Sequence, residues 1–168
     1  ALNSKESLTS LILPDRLRKI SGENGGGRGA FNNCSNLSGS LIIPEGVVEI
    51  GSGAFNGCTS LTGTLSLPST LKIIGEKDCY TPYHDGAFYG CNFVCELIIP
   101  ESVEVIGGGT FSNCKNFYGE IRLPDGLQWL GPGAFEGSEN FSGDIVIPQG
   151  VTSIPYGCFN GTWVGGRL

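Results

Sequence analysis

The chain has 168 residues, of which 28 are glycine and 9 are proline, so its backbone is expected to turn often. With 39% hydrophobic and only 15% charged residues it is too apolar for a disordered chain, and its formal net charge of −6 argues against nucleic acid as a partner. No apolar run reaches the roughly 18 residues of a membrane span, and a single histidine leaves little room for a metal site or a catalytic triad. We therefore expect no cofactor and no membrane insertion of this segment.

One short segment recurs along the chain: an aliphatic residue, any residue, a second aliphatic residue and a proline. These prolines are Pro14, Pro44, Pro68, Pro100, Pro124 and Pro148. They lie 30, 24, 32, 24 and 24 residues apart, so the basic period is 24, and the first and third copies carry insertions. We predict a single domain over 1–168 that is a piece of a longer array. Its coils 1 to 6 lie near 8–39, 40–63, 64–95, 96–119, 120–143 and 144–168.

Coil 2 shows how one copy is expected to fold. Side chains alternate along a short strand, so Leu41 and Ile43 should face inward and Ile42 outward. Val47 and Ile50 then return to the interior. No single coil can bury its own apolar face, so stacked coils, with strands about 4.8 Å apart, should share one continuous core.

A glycine-rich turn and an alanine–phenylalanine pair close each coil. Gly51 and Gly53 are expected to adopt backbone angles that are closed to other residues, and Ala54 and Phe55 to fill the core. The equivalent phenylalanines are predicted to line up as one internal column, the Phe column. Its members are Phe31, Phe55, Phe88, Phe111, Phe135 and Phe159.

The full pattern, written in coil 2 as SLIIPEGVVEIGSGAFNGCTSLTG, resembles the BspA-like leucine-rich repeats, also called the Treponema pallidum type, over roughly residues 8–162. The resemblance implies a β-rich solenoid, a right-handed stack of about six coils with short parallel strands. It also implies a bacterial, non-enzymatic protein-binding module, at the cell surface or secreted, that adheres to host or matrix proteins such as fibronectin and fibrinogen. The alternative is a structural repeat spacer without a ligand of its own, because fold does not fix function.

Two insertions interrupt the repeat. The glycine-rich first one, 21–28, is interpreted as a flexible bulge, because no helix follows it to make a phosphate site. The second, 76–85, carries Tyr80 and Tyr83, which are candidates for contact with a partner; the alternative is a loop that folds back over the stack. A third hypothesis, an enzyme built on this loop, uses Cys79, His84 and Asp85.

Cysteine and hydroxyl residues share one repeat position, which we call the thiol–hydroxyl ladder. It holds Cys34, Cys58, Cys91, Cys114, Ser138 and Thr162. Since serine and threonine replace cysteine, the position is predicted to need a small buried side chain that donates a hydrogen bond to a turn, and neither a disulfide nor a metal. Cys158 is predicted to serve packing. Cys79 and Cys95 depart from the repeat and form a candidate disulfide, which would indicate an oxidising, extracellular setting.

The outward positions of the aliphatic segments form the main candidate binding face. Their middle residues, which we call the outer stripe, are Ile12, Ile42, Ser66, Ile98, Arg122 and Val146. Acidic residues precede the segments at Glu96, Glu120 and Asp144, and others follow the prolines. An exposed apolar stripe with a polar rim often marks an interaction site, whereas the alternative is that these aliphatic residues only favour strand pairing.

A second outward ladder lies five residues after each proline, at Lys19, Glu49, Ile73, Val105, Trp129 and Ser153. Ile73, Val105 and Trp129 are predicted to point outward. Trp129 is the best single anchor for a partner, unless it packs laterally against the next coil. Neither chain end resembles a polar cap, so end-to-end self-association with another copy is a further expectation.

Overall fold

A computed structural model describes residues 7–22, 29–77 and 85–162. In these ranges the chain forms turns and two-residue strands and has no α-helix, so no helix there could cross a membrane. The strands are β1 (Lys19–Ile20), β2 (Leu41–Ile42), β3 (Glu49–Ile50), β4 (Leu65–Ser66), β5 (Ile73–Ile74), β6 (Val105–Ile106), β7 (Gly119–Glu120), β8 (Trp129–Leu130) and β9 (Phe141–Ser142).

One parallel sheet runs through five coils, with its strands in the order β1–β3–β5–β6–β8. Equivalent residues of successive coils are opposite each other, such as Glu49 with Ile73 and Val105 with Trp129. Parallel pairing of strands that follow one another in the chain requires a full crossover connection between them. The described residues therefore form the predicted β-rich solenoid, in which each of coils 1 to 5 contributes one strand to this sheet.

In the described part of the chain, the aliphatic segments before the prolines form strands in only two coils, although the sequence predicts a strand in every copy. β2 pairs with β4 in repeat register, with Leu41 opposite Leu65. Ahead of the aliphatic segments of coils 5 and 6, pairing involves β7 and β9, where Gly119 is opposite Phe141. This pairing joins residues 22 apart instead of 24. Each aliphatic segment is short and ends at a proline, which has no N–H to donate to a neighbouring strand. A slip of two residues in the pairing therefore leaves the aliphatic segment without a strand partner.

The Phe column is present as predicted. Its successive rings are stacked, with centroids between 5.1 and 5.7 Å apart and ring planes within 23° of each other. Phe55, Phe88, Phe111 and Phe135 are fully buried. The column passes through all six coils, from Phe31 to Phe159, and joins them into one core.

A second apolar column packs against the first. It consists of Leu37, Leu61, Phe93, Phe117 and Phe141, all buried. Phe93 meets the Phe column edge-on at Phe88, with centroids 6.2 Å apart, and Phe117 does so at Phe111, with centroids 6.1 Å apart. Edge-to-face packing is a favourable arrangement for aromatic rings. The later coils therefore interlock two columns of rings, where the first coils use leucine.

Coil 2 shows the predicted alternation of side chains. Leu41 and Ile43 are 2% and 3% exposed, whereas Ile42 is 69% exposed. Val47 and Ile50 are fully buried. The aliphatic segments thus present one face to the core and one to solvent even where no strand is assigned.

The two turn glycines of coil 2 are needed for different reasons. Gly53 has a φ of +67°, in the left-handed region, as expected. Gly51 does not: a Cβ atom there would collide with the backbone nitrogen of Gly22 in the preceding coil. The expectation of unusual backbone angles at Gly51 is therefore wrong, and close approach of two coils is the reason for glycine at that position.

The residue before each member of the thiol–hydroxyl ladder has a left-handed backbone. The φ values are 55° at Asn33, 70° at Gly57, 69° at Gly90, 56° at Asn113, 68° at Gly137 and 69° at Gly161. Asparagine tolerates this conformation better than other residues with a side chain. The turn therefore restricts this repeat position to glycine or asparagine, a rule that was not predicted from the sequence.

Candidate binding surfaces

The outer stripe is exposed wherever it is aliphatic. Ile12 is 96% exposed, Ile42 69%, Ile98 72% and Val146 77%. Arg122 occupies the same position between the last two, with 84% of its side chain exposed. The candidate residues of this stripe therefore point to solvent, as contact with a partner would require.

The carboxylates that precede the aliphatic segments border the stripe. Glu96, Glu120 and Asp144 are all exposed. The Arg122 guanidinium donates to Oε2 of Glu120 from Nη2 at 2.9 Å and from Nε at 3.2 Å. An exposed ion pair of this kind contributes about 0–1 kcal/mol to stability, so both groups remain available to a partner.

The carboxylates that follow the prolines have a structural role that the sequence did not reveal. Glu45 accepts hydrogen bonds from the backbone N–H and the hydroxyl of Ser69 in the next coil, both at 3.0 Å. Glu101 likewise accepts from the backbone N–H of Asp125 at 3.3 Å. These side chains bridge successive turns, so the carboxylates that follow the prolines help to hold neighbouring coils together.

A groove of about 630 Å³ opens on this face between coils 4 and 5. Its lining includes Glu96, Leu97, Ile98, Glu101, Glu120 and Arg122. Within the described ranges, no backbone hydrogen bond joins 97–99 to 121–123, the two aliphatic segments that face each other here. Just before these two segments, Glu96 forms an isolated parallel bridge with Tyr118, 22 residues later, so the groove lies where slipped pairing leaves the aliphatic segments of coils 4 and 5 without strand partners. It brings four of the predicted site residues together, Glu96, Ile98, Glu120 and Arg122, whereas Asp144 lies outside its described lining.

The outward face of the five-stranded sheet carries Trp129, which is 39% exposed. Its register partner Val105 is only 6% exposed, and Ile73, on the other side of Val105, is half-buried. Val105 therefore keeps the outward register of Ile73 and Trp129 and lies outside the apolar core cluster, but its side chain is buried. Val105 is flanked in register by the larger side chains of Ile73 and Trp129. This arrangement agrees with the alternative that Trp129 packs against the neighbouring coil, while the exposed part of its side chain faces solvent.

The thiol–hydroxyl ladder has the predicted hydrogen bonds. Each of its last five members donates to the main-chain oxygen of the Phe-column residue one coil earlier. The distances are 3.2 Å for Cys58 to Phe31, 3.1 Å for Cys91 to Phe55, 3.0 Å for Cys114 to Phe88, 2.7 Å for Ser138 to Phe111 and 2.8 Å for Thr162 to Phe135.

Burial keeps these thiols in the neutral form. Loss of hydration raises the pKa of Cys58 and of Cys114 to about 12, and raises the pKa of Cys91 well above its ordinary value. Burial likewise raises the pKa of Cys158, at the predicted packing position, to about 12. A thiolate is needed for nucleophilic attack or metal binding, so these four cysteines are suited to packing and hydrogen bonding.

Several predicted residues fall outside the described part of the chain. Cys79, Tyr80, Tyr83 and His84 lie between residues 77 and 85, so the proposed loop contacts and the catalytic hypothesis stay predictions. Cys95 is 8% exposed and its thiol is free in this structure. Since Cys79 lies outside the described residues, the pairing of Cys79 with Cys95 also stays a prediction. No disulfide links two of the six described cysteines, and no cluster of described acidic, histidine or cysteine side chains could hold a metal ion.

The chain belongs to the family described as BspA type leucine rich repeat region, whose model matches six copies over residues 1–81 and 81–163. It is also similar to a solved structure, a leucine-rich repeat protein from Bacteroides ovatus, with 30% sequence identity and a TM-score of 0.71. That similarity covers 96% of this chain and 38% of the Bacteroides protein, so the chain spans about two fifths of its length. Among curated protein sequences, none is significantly similar to the chain.

Proposed function

We propose that the chain is a non-enzymatic protein-binding repeat module and that the outer stripe, with its acidic border, contacts the partner. The observation that carries the proposal is the exposure of four aliphatic side chains, 69–96%, at one repeat position. Solvent-exposed apolar rows bordered by charges are a common feature of interaction sites, and solenoids present such rows over several repeats. Ile12, Ile98 and Val146 lie outside the described strands, so strand pairing does not account for the aliphatic residues at these three positions.

We further propose that the protein acts at the bacterial cell surface or after secretion, in adhesion to host or matrix proteins. Membership in the BspA-type repeat family supports this role, and so does the similarity to a repeat protein of a Bacteroides species. The acidic net charge of −6 favours partners with basic surfaces, because opposite charges accelerate encounter and fix register.

The chemistry of the described core also favours binding over catalysis. Cys58, Cys91 and Cys114 have raised pKa values because they are desolvated, and each thiol donates a hydrogen bond to a main-chain oxygen. A nucleophilic cysteine needs the opposite environment, one that stabilises the thiolate. These thiols therefore support a role for the ladder in stability.

Surface plasmon resonance over immobilised fibronectin and fibrinogen tests the proposal. We expect wild-type protein to bind at least one of them, and the double variant Ile42→Lys with Ile98→Lys to bind at least tenfold more weakly. Trp129→Lys measures the contribution of the sheet face. Gln128→Lys is its matched control, because it adds the same charge at the neighbouring exposed residue. Absence of binding to either matrix protein would favour the structural spacer.

A further inference from the structure

We infer that the groove between coils 4 and 5 binds an extended segment of the partner in which lysine or arginine alternates with apolar residues. This inference rests on the proposed function and names the chemistry of the partner at one defined place. Three observations support it: open backbone groups, which are paired at the equivalent segments of coils 2 and 3, an excess of carboxylates and an apolar wall.

The backbone along the groove is open to a partner strand. Within the described ranges, residues 98–99 and 122–123 make no hydrogen bond to another backbone group. At the same repeat position in coils 2 and 3, Leu41 donates to Thr64 at 2.8 Å and Ile43 donates to Ser66 at 3.0 Å. An added strand gains main-chain hydrogen bonds where such groups are unpaired, and its alternate side chains determine which sequence is accepted.

The charges that line the groove favour a basic segment. Glu96, Glu101 and Glu120 contribute three carboxylates, while Arg122 is the one cation of the lining and is already paired with Glu120. An incoming lysine or arginine therefore meets an excess of negative charge, whereas an acidic segment is repelled. The lining carboxylates do not form a metal site, since no described cluster of three suitable side chains is arranged for one.

The apolar part of the groove explains why the basic residues should alternate with apolar ones. Ile98 is 72% exposed and stands at the edge of the groove, while Leu97 and Ile99 beside it are 6% and 7% exposed. In an extended segment, neighbouring side chains point to opposite faces. An alternating sequence can therefore place its apolar side chains against Ile98 and its cations near the carboxylates.

The test uses the whole chain and a labelled eight-residue peptide that alternates lysine and valine, with binding followed by fluorescence anisotropy. An otherwise identical glutamate–valine peptide controls for charge, and a peptide with four lysines followed by four valines controls for alternation. Ile98→Lys is expected to weaken binding of the lysine–valine peptide at least tenfold. Val48→Lys is the matched control, because it places the same charge on an exposed aliphatic residue, 42% exposed, that lies in coil 2 outside the outer stripe and outside the groove.

Equal loss of affinity in the Ile98→Lys and Val48→Lys variants, or equal binding of the three peptides, would overturn the inference. Glu96→Gln should weaken binding several-fold and reduce its salt dependence, because a screened charge contact is removed. All substituted side chains are exposed, and thermal unfolding followed by circular dichroism verifies that each variant is folded. If matrix protein binds but the lysine–valine peptide does not, this inference fails and the proposed function stands; if neither binds, both fail.

Discussion

The thiol of Cys114 donates a hydrogen bond to the main-chain oxygen of Phe88, 3.0 Å away in the preceding coil. The hydroxyl of Ser138 does the same to Phe111 at 2.7 Å. The first five Phe-column residues thus contribute their rings to the apolar stack and their carbonyls to a polar contact with the next coil. Hydrogen bonding and ring stacking therefore act between the same pairs of coils, and the solenoid gains both kinds of contact with every added repeat.

The ladder predicts how substitutions of Cys114 affect stability. Cys114→Ala removes one of two donors to the Phe88 oxygen, which keeps the bond from the Cys91 backbone N–H at 3.1 Å, so we expect a loss of about 0.5–1.5 kcal/mol in the free energy of unfolding. Cys114→Ser keeps a donor and should cost less, because Ser138 already fills the equivalent position. Urea unfolding of the three proteins measures the difference. A serine variant less stable than the alanine variant would contradict the hydrogen-bonding role.

Stability should fall at alkaline pH because of the same thiols. Burial raises the pKa of Cys58 and Cys114 from 9.0 to about 12, so the folded chain keeps protons that the unfolded chain releases. The stabilisation is complete below pH 9 and is lost as pH rises toward 12, at about 1.4 kcal/mol per pH unit for each such thiol.

Urea unfolding between pH 8 and pH 10.5 tests this dependence. Cys58→Ser removes one titrating thiol and should make the decline shallower, by at most the slope given above for a single thiol. Identical slopes for wild type and variant would show that the Cys58 thiol does not contribute to it. Lysine and tyrosine residues are unchanged in the variant, so their titration cancels in the comparison.

The Phe column predicts a gradient of mutational cost along the stack. Phe111 is fully buried and stacks on rings from both neighbouring coils, so Phe111→Ala should cost about 3–5 kcal/mol. Phe159 is only partly buried, and its described ring contact is with Phe135, so Phe159→Ala should cost less. Phe111→Leu, a milder change, keeps the comparison possible if the alanine variant does not fold. Equal costs for the alanine variants at the two positions would argue against a continuous column.

Substitution by alanine should have opposite effects on stability at two of the glycines. A Cβ atom at Gly51 would collide with the backbone of Gly22, so Gly51→Ala should be strongly destabilising. At Gly126 the nearest atom is the oxygen of Glu101, 3.7 Å away, which is an ordinary contact. Gly126→Ala should therefore be neutral, or stabilising by about 0.4–1 kcal/mol through the unfolded state. Thermal unfolding of both variants tests the pair, and a neutral Gly51→Ala would refute the close approach of the coils.

Much of the fold follows from the repeated pattern, because one coil cannot bury its apolar face alone. The inward positions of Leu41, Ile43 and Val47, the stacking of the phenylalanines and the hydrogen-bonding role of the ladder were all predicted from one template. Each depends on interactions that recur at a fixed spacing. The same argument gave the outward direction of Ile42, Ile98 and Val146.

The remaining features depend on how neighbouring coils are positioned relative to each other, which no single repeat encodes. The burial of Val105, the bridging role of Glu45 and the reason for glycine at Gly51 are contacts between coils. By itself the sequence determined that this chain is a β-rich stack with one continuous core and an exposed aliphatic row. Only the tertiary structure decided where adjacent coils pair. The reason is that backbone hydrogen bonds form between the residues that side-chain packing brings opposite each other. The two-residue slip that opens the groove beside Ile98 follows from that pairing.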